Sequence, residues 1–161
     1  AEEYWALDLD NWLDIAVFNF TVDRAGSHQI MEYRDSSYLP WGASQEEVLE
    51  DEEDHYDNGV ENLKQFAKDP EQLAAFQEVY DRVMPNCLKR AFGRLEGADN
   101  DFCLEHGLKR NTTEGIVNRY LKEMRSHMDG TGLMFPTIAA FEEVNCELAD
   151  STREILLSLQ R

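Results

Sequence analysis

The fold is decided by residues 44–57, SQEEVLEDEEDHYD, which open a long helical region. Ser44 and Glu47 have the spacing of a capping box, in which both side chains satisfy backbone donors at a helix start. Acidic residues suit that end of a helix because they oppose the positive end of its dipole. Further along, adjacent like charges repel one another. We therefore predict a helix that begins at Ser44 and carries a dense negative charge.

The same charge dominates the first half of the chain. Residues 1–80 contain 20 Asp and Glu against 4 Lys and Arg, whereas residues 81–161 contain 13 against 11. The net charge of −18 therefore divides into −16 and −2. Charge of this density opposes compaction, and it favours solubility or the binding of a basic partner. It counts against affinity for nucleic acid or for anionic membranes.

Apolar residues recur at helical spacing through the rest of the chain. Asp69 and Pro70 predict a helix start, with the aspartate as cap and the proline in the first turn. Other signals predict a break or kink at Asn58–Gly59, a helix end at Pro85, a helix over 113–128 and a last helix capped by Ser151 with Glu154.

The β signals lie in the first 40 residues. Residues 15–22 form a nearly continuous β-branched and aromatic run, and residues 28–33 form a plausible return strand after a turn at 23–27. Residues 38–42 are typical of a loop, and residues 2–13 fit either a strand or a helix. We predict an α+β, predominantly helical fold in a single domain over 1–161. In it, a β-hairpin within the acidic segment 1–42 is attached to a bundle of five to seven helices in 43–161.

Size and cysteine content indicate the class of protein. A chain of 161 residues has the ordinary size of one domain. Its longest apolar runs have four residues, which is far too short to span a bilayer. The acidic N-terminus lacks the features of a signal peptide. Three widely spaced cysteines fit free thiols in a reducing compartment. We expect a cytoplasmic protein and leave its oligomeric state open.

The acidic stretch contains residues that could bind a metal. Glu52 and His55 have the Glu-x-x-His spacing of carboxylate-bridged di-iron sites, but no second such pair exists. A calcium loop that starts at Asp54 fails at its third position, Tyr56, and at its twelfth, Gln65. We therefore expect a solvated acidic face with no metal and no cofactor.

A zinc site and a nucleophilic enzyme are weaker alternatives. Cys103 and His106 stand three residues apart and could ligate zinc together with Cys87 and Cys146. Structural zinc sites usually show two close pairs, whereas Cys87 and Cys146 stand alone in apolar stretches. No third group is available to orient a Cys–His pair for catalysis. Enzymatic activity is uncertain, and a non-enzymatic role is favoured.

Basic residues of the second half form a stripe. Arg119, Lys122 and Arg125 recur at helical spacing, and residues 102–121 loosely resemble a helix-turn-helix with Gly107 at the turn. The link between the two helices is several residues too long for that motif, and the net charge opposes the approach of DNA. Pairing of these cations with the acidic helices is the favoured interpretation.

We hypothesise an acidic binding protein that docks on a basic protein surface. The concrete form is an inhibitor, an immunity protein or a DNA-mimic antagonist of a nuclease or another nucleic-acid enzyme. A small helical enzyme or metalloprotein that uses the cluster Glu50–Asp57 is one alternative, and a helix-turn-helix regulator is another. No membrane and no direct nucleic-acid partner is expected. The predicted partner-binding residues are Glu46, Glu47, Glu50, Asp51, Glu53, Asp54 and Asp57, with Trp41, Tyr56 and Tyr38 as aromatic anchors.

Overall fold

The computed structural model describes residues 9–158, except for the side chain of Glu53. All regular structure within that range is helical, and it contains no strand. The predicted helical bundle fits this architecture, and the predicted β-hairpin does not. The elements in chain order are α1 (Trp12–Phe18), a π-helical segment (Asn19–Asp23), α2 (Arg24–Arg34), α3 (Leu39–Phe66), α4 (Pro70–Ala91), α5 (Ala98–Glu105), α6 (Thr113–Met128), α7 (Ile138–Glu143) and α8 (Asp150–Ser158).

The predicted hairpin over 15–33 is wrong because that region is one continuous helical run. Asn19 and Asp23, at the two joins of the π-helical segment, both keep right-handed helical backbone angles. β-propensity spans only about 1 kcal/mol, and the burial of one large apolar side chain outweighs it. Residues 1–8, part of the stretch that fitted either a strand or a helix, lie outside the described residues. The buried side chains follow a helical period: Ala16, Val17, Phe20, Thr21, Ala25, His28 and Glu32.

α3 runs antiparallel to this helical run, and two glycines permit the close approach. A Cβ on Gly59 would lie 2.4 Å from the backbone N of Phe20, and one on Gly42 would lie 2.6 Å from the carbonyl O of Arg34. Neither position has room for a side chain. The predicted break at Asn58–Gly59 is therefore wrong: α3 continues through it, and the glycine serves helix packing.

Helix boundaries are confirmed in some places and corrected in others. The Asp69 cap is confirmed, since its carboxylate accepts hydrogen bonds from the backbone N–H groups of Glu71 and Gln72. The predicted loop over 38–42 is wrong because α3 already begins at Leu39. Ser44 is thus an interior residue, and its hydroxyl donates to the carbonyl of Trp41 instead of capping the helix.

The predicted end of α4 at Pro85 is also wrong, because the helix continues to Ala91. A proline inside a helix removes one backbone hydrogen bond. The buried face of α4 extends on both sides of Pro85, with Met84 and Leu88 in the core. Burial of that face offsets the local loss.

The core lies where the π-helical segment meets α4 and α6. The Phe20 ring packs edge-on against Phe76 at a centroid distance of 6.1 Å. The Tyr120 hydroxyl of α6 donates to the carbonyl O of Thr21 at 3.0 Å, and the Cys87 thiol of α4 donates to the same oxygen at 3.7 Å. In the part of the chain that is described, no helix has the length and apolar character to cross a bilayer.

Two mid-helix glycines test this packing. Nothing lies within 4 Å of a Cβ built on Gly26, so Gly26→Ala should raise the free energy of unfolding by about 0.5–1 kcal/mol, the helix-propensity difference between the two residues. Gly59→Ala should lower it by about 1–3 kcal/mol, because a methyl group is forced into the backbone of Phe20. Urea unfolding followed by circular dichroism measures both. Stabilisation by both substitutions would contradict the close approach of α3.

Candidate functional site

One face of α3 is covered by carboxylates that point into water. α3 is 28 residues long, and it contains nine Asp and Glu against one Lys. Like charges at i and i+4, such as Glu46 with Glu50, destabilise a helix by about 0.2–0.5 kcal/mol per pair. Among the described residues, no basic side chain forms an ion pair with this face. The acidic face consists of the exposed residues Glu46, Glu47, Glu50, Asp51, Asp54 and Asp57.

The aromatic residues predicted as anchors separate into exposed and buried ones. Tyr38 is 61% exposed and Trp41 is 48% exposed, and together with the exposed Leu39 they form the apolar tip of α3. Tyr56 is only 5% exposed, with the Arg24 guanidinium 4.3 Å from its ring centroid. Its ring packs inside the protein, so little of it is exposed for the partner contact that the sequence predicts. Glu53 belongs to α3, but its side chain is outside the described part.

The opposite side of α3 meets the π-helical segment in a cluster of carboxylates and histidine. Ligand atoms of Asp23, Glu52 and His55 all lie within 4.8 Å of one another. The three side chains line a groove of about 440 Å³, together with Phe18, Asn19, Val22 and Gly26. Within residues 9–158 this is the one group of three or more His, Cys, Asp or Glu side chains with spacing suitable for a metal ion. The Glu52–His55 pair is apparent from the sequence. Asp23 is not, because the predicted turn over 23–27 does not bring it next to α3.

The cluster brings two carboxyl groups close together in a partly desolvated groove, which disfavours their charged forms. Burial raises the pKa of the Asp23 carboxyl to about 7, and the negative charge of Glu52 raises it too, whereas His55 opposes the rise. Burial also raises the pKa of Glu52. In the described structure, Oε2 of Glu52 is buried and has no hydrogen-bond partner. The Asn19 amide is assigned with its NH₂ toward the cluster because only this orientation satisfies both of its polar atoms. In that orientation its NH₂ lies 3.2 Å from Oδ2 of Asp23 and donates to it.

Among the described side chains, the four residues of the zinc alternative do not form a group of three or more with the spacing of metal ligands. Cys87 and Cys146 are buried thiols, and Cys103 is half-buried. His106 stacks on Phe102 at a centroid distance of 4.1 Å, with Nδ1 3.0 Å from that residue's carbonyl O. The geometry therefore gives no support to a zinc site built from these side chains.

The basic stripe is partly used inside the protein. The Arg119 guanidinium donates to Oε1 of Glu32 at 2.9 Å and to Nδ1 of His28 at 3.1 Å. Residues 106–112 separate α5 from α6, which is longer than the three- to four-residue turn of a helix-turn-helix. The structure thus offers neither a free three-residue stripe nor the motif that the regulator alternative requires.

Arg119 belongs to a charged clamp between α2 and α6. His28, almost fully buried, must accept at Nδ1 because arginine only donates, so its proton lies on Nε2, which donates to Oε2 of Glu123 at 2.9 Å. Burial lowers the pKa of His28, which favours the neutral ring. The clamp consists of Arg24, His28 and Glu32 from α2 with Arg119 and Glu123 from α6.

Glu123 holds the clamp together. Burial by itself would raise the pKa of its carboxyl, but the hydrogen bond from His28 and the positive charge of Arg24 lower it to about 2. A carboxyl whose pKa is lower in the folded state than its ordinary 4.5 stabilises the fold above pH 4.5, and this stability is lost as pH falls toward 2.

Removal of this carboxylate should therefore change how stability depends on pH. Glu123→Gln should lower the free energy of unfolding by about 2–3 kcal/mol at pH 7. This is somewhat less than the loss from breaking a fully buried ion pair, because Glu123 is 26% exposed. The cost should shrink between pH 4.5 and 2. Urea unfolding across that range measures it, with the exposed Glu61→Gln as the matched control. If Glu123→Gln and the wild type lose stability in parallel, the clamp does not hold a charged glutamate.

Comparison with known proteins adds no relative. No protein-family model matches the chain, and no curated protein matches it significantly.

Proposed function

We propose that this protein is a non-enzymatic binding protein that docks the acidic face of α3 on a basic surface of another protein. The observation that carries the proposal is the set of six exposed carboxylates on one helix, none of them paired with a basic side chain in the described structure. The carboxylates repel one another in the free protein, and this repulsion is reduced when a cationic surface covers them. A complementary surface also accelerates association.

The spacing of the charges supports imitation of a nucleic acid. Glu46 and Asp57 are separated by about 17 Å along the axis of α3, at 1.5 Å per residue. The six carboxylates of the face lie in that interval, which gives about one charge per 3 Å, close to one phosphate per 3.4 Å along a DNA strand. The proposed partner is therefore a nuclease or another nucleic-acid enzyme, and the protein acts as its inhibitor, immunity protein or DNA-mimic antagonist.

The apolar tip of α3 supplies contacts that charge does not. Large aromatic side chains dominate binding energy at protein interfaces, and Tyr38, Leu39 and Trp41 are exposed next to the first carboxylates. An acidic surface followed by an aromatic anchor fits a basic groove with an apolar pocket at one end. Tyr56 has no part in this surface.

A cytoplasmic location belongs to the same proposal. All three cysteines are free, and two of them are buried, as expected of thiols kept in a reducing compartment. A nucleic-acid enzyme of the same compartment is then the natural partner. No membrane is part of the proposal.

Charge reversal tests the proposal. A partner captured from lysate of the native host and then purified should associate at a rate that falls steeply as salt shrinks the Debye length from about 30 to about 8 Å. Glu50→Lys with Asp54→Lys should slow association about tenfold or more at low salt. The control Glu143→Lys with Glu147→Lys makes the same change in net charge away from α3, and it should slow association less than about twofold. Stopped-flow fluorescence measures both rates.

Displacement of DNA tests whether the protein imitates DNA or only binds a basic surface. The wild-type protein should release labelled duplex DNA from the purified partner, and Trp41→Ala should weaken this competition chiefly through faster dissociation. Equal effects of the two double reversals, or an association rate independent of salt, would remove the basis for an electrostatic interface.

A further inference from the structure

We propose that Asp23, Glu52 and His55 form a binding site for a divalent first-row transition-metal ion. This inference is separate from the acidic face of α3, since Asp23 and Glu52 are half-buried in the groove and neither belongs to that face. The site binds a single ion and does not depend on the proposed protein partner.

The donor atoms of the cluster lie close enough together to bind one ion. Transition-metal ions bind carboxylate oxygen and imidazole nitrogen at about 2.0–2.2 Å, which places neighbouring ligand atoms about 3–4 Å apart. Ligand atoms of the three side chains already lie within 4.8 Å of one another. Small rotations about side-chain bonds are enough to complete the triangle.

The backbone of two packed helical elements positions the three ligands. Glu52 and His55 are three residues apart on α3, so they share one face of that helix. Asp23 is the last residue of the π-helical segment, a type of segment frequently found at functional sites. The close approach of Gly59 to Phe20 holds α3 against this segment. Side chains from both helices therefore reach the same point.

One carboxylate oxygen of the cluster lacks a hydrogen-bond partner. Oε2 of Glu52 is buried and lacks a partner in the described structure, although a buried carboxylate oxygen ordinarily accepts a hydrogen bond or binds a cation. Ligand atoms of the two carboxylates lie within 4.8 Å of each other, and neither carboxylate forms an ion pair with an arginine or lysine among the described residues. The Asn19 amide donates to Asp23, as a residue behind a metal ligand commonly does.

The donor set selects the class of ion. Magnesium and calcium prefer oxygen ligands throughout, whereas an imidazole with carboxylates suits zinc, manganese, iron or cobalt. Three protein ligands leave coordination positions open, as in catalytic rather than structural metal sites. Those positions face the groove of about 440 Å³, so a water molecule or a small polar ligand can reach the ion.

Calorimetric titration of the untagged protein with Zn²⁺ alone tests the site. The wild type should bind one ion per chain with micromolar affinity or tighter, and the ion should raise the thermal midpoint. Asp23→Asn, Glu52→Gln and His55→Gln should each weaken binding at least tenfold. Glu50→Gln, from the acidic face, and His106→Gln, beside Cys103, are the matched controls and should change the affinity less than twofold.

Two further measurements keep the outcomes distinct. Without metal, Asp23→Asn should be at least as stable as the wild type, since it removes one of two facing carboxylates, so lost binding cannot be ascribed to unfolding. Co²⁺ bound to the wild type should show visible absorption bands that His55→Gln shifts. The proposal is overturned by a lack of saturable binding, by equal losses in Glu50→Gln, or by an affinity that only His106→Gln reduces.

Discussion

The carbonyl oxygen of Thr21 is the point on which the packing of the described helices depends. The backbone N–H of Arg24 donates to it within the helical run, the Tyr120 hydroxyl reaches it from α6 and the Cys87 thiol reaches it from α4. In a regular α-helix, each backbone carbonyl points along the helix axis and accepts a hydrogen bond from the N–H group four residues later. A π-helical turn disturbs that pattern. The distortion makes one carbonyl available to two neighbouring helices, and all three meet around it.

The same segment determines how α3 is used. α3 lies close to Phe20 because Gly59 has no side chain, and this contact fixes which of its sides faces the rest of the protein. Glu52 and His55 turn toward the groove, while the acidic face turns toward water. One helix thereby carries two kinds of carboxylate: exposed ones suited to a basic macromolecule, and half-buried ones suited to a small cation.

Among the described residues, no basic side chain forms an ion pair with the acidic face, although Arg24 and Arg34 line a groove together with Glu46 and Glu50. Arg24 and Arg119 are held by Glu123 and Glu32 in the charged clamp, and Arg82 pairs with the buried Asp14. Partly buried carboxylates attract these cations more strongly than exposed ones do, because water screens the exposed charges. The excess of acidic residues in the first half of the chain therefore remains, in the described structure, as an exposed acidic face on α3.

The sequence by itself determined the helical character of the second half, the cap at Asp69, the exposure of most carboxylates of α3 and the Glu52–His55 spacing. Local signals suffice for these features, since a cap, a helical period or a charge that cannot be buried acts within a few residues. Only the tertiary structure decided that residues 15–33 are helical, that Tyr56 is buried, that Gly59 is a packing position and that Asp23 meets Glu52. Each of these features depends on contacts between distant parts of the chain. The free energy gained by burial in such contacts exceeds the local conformational preferences of the residues.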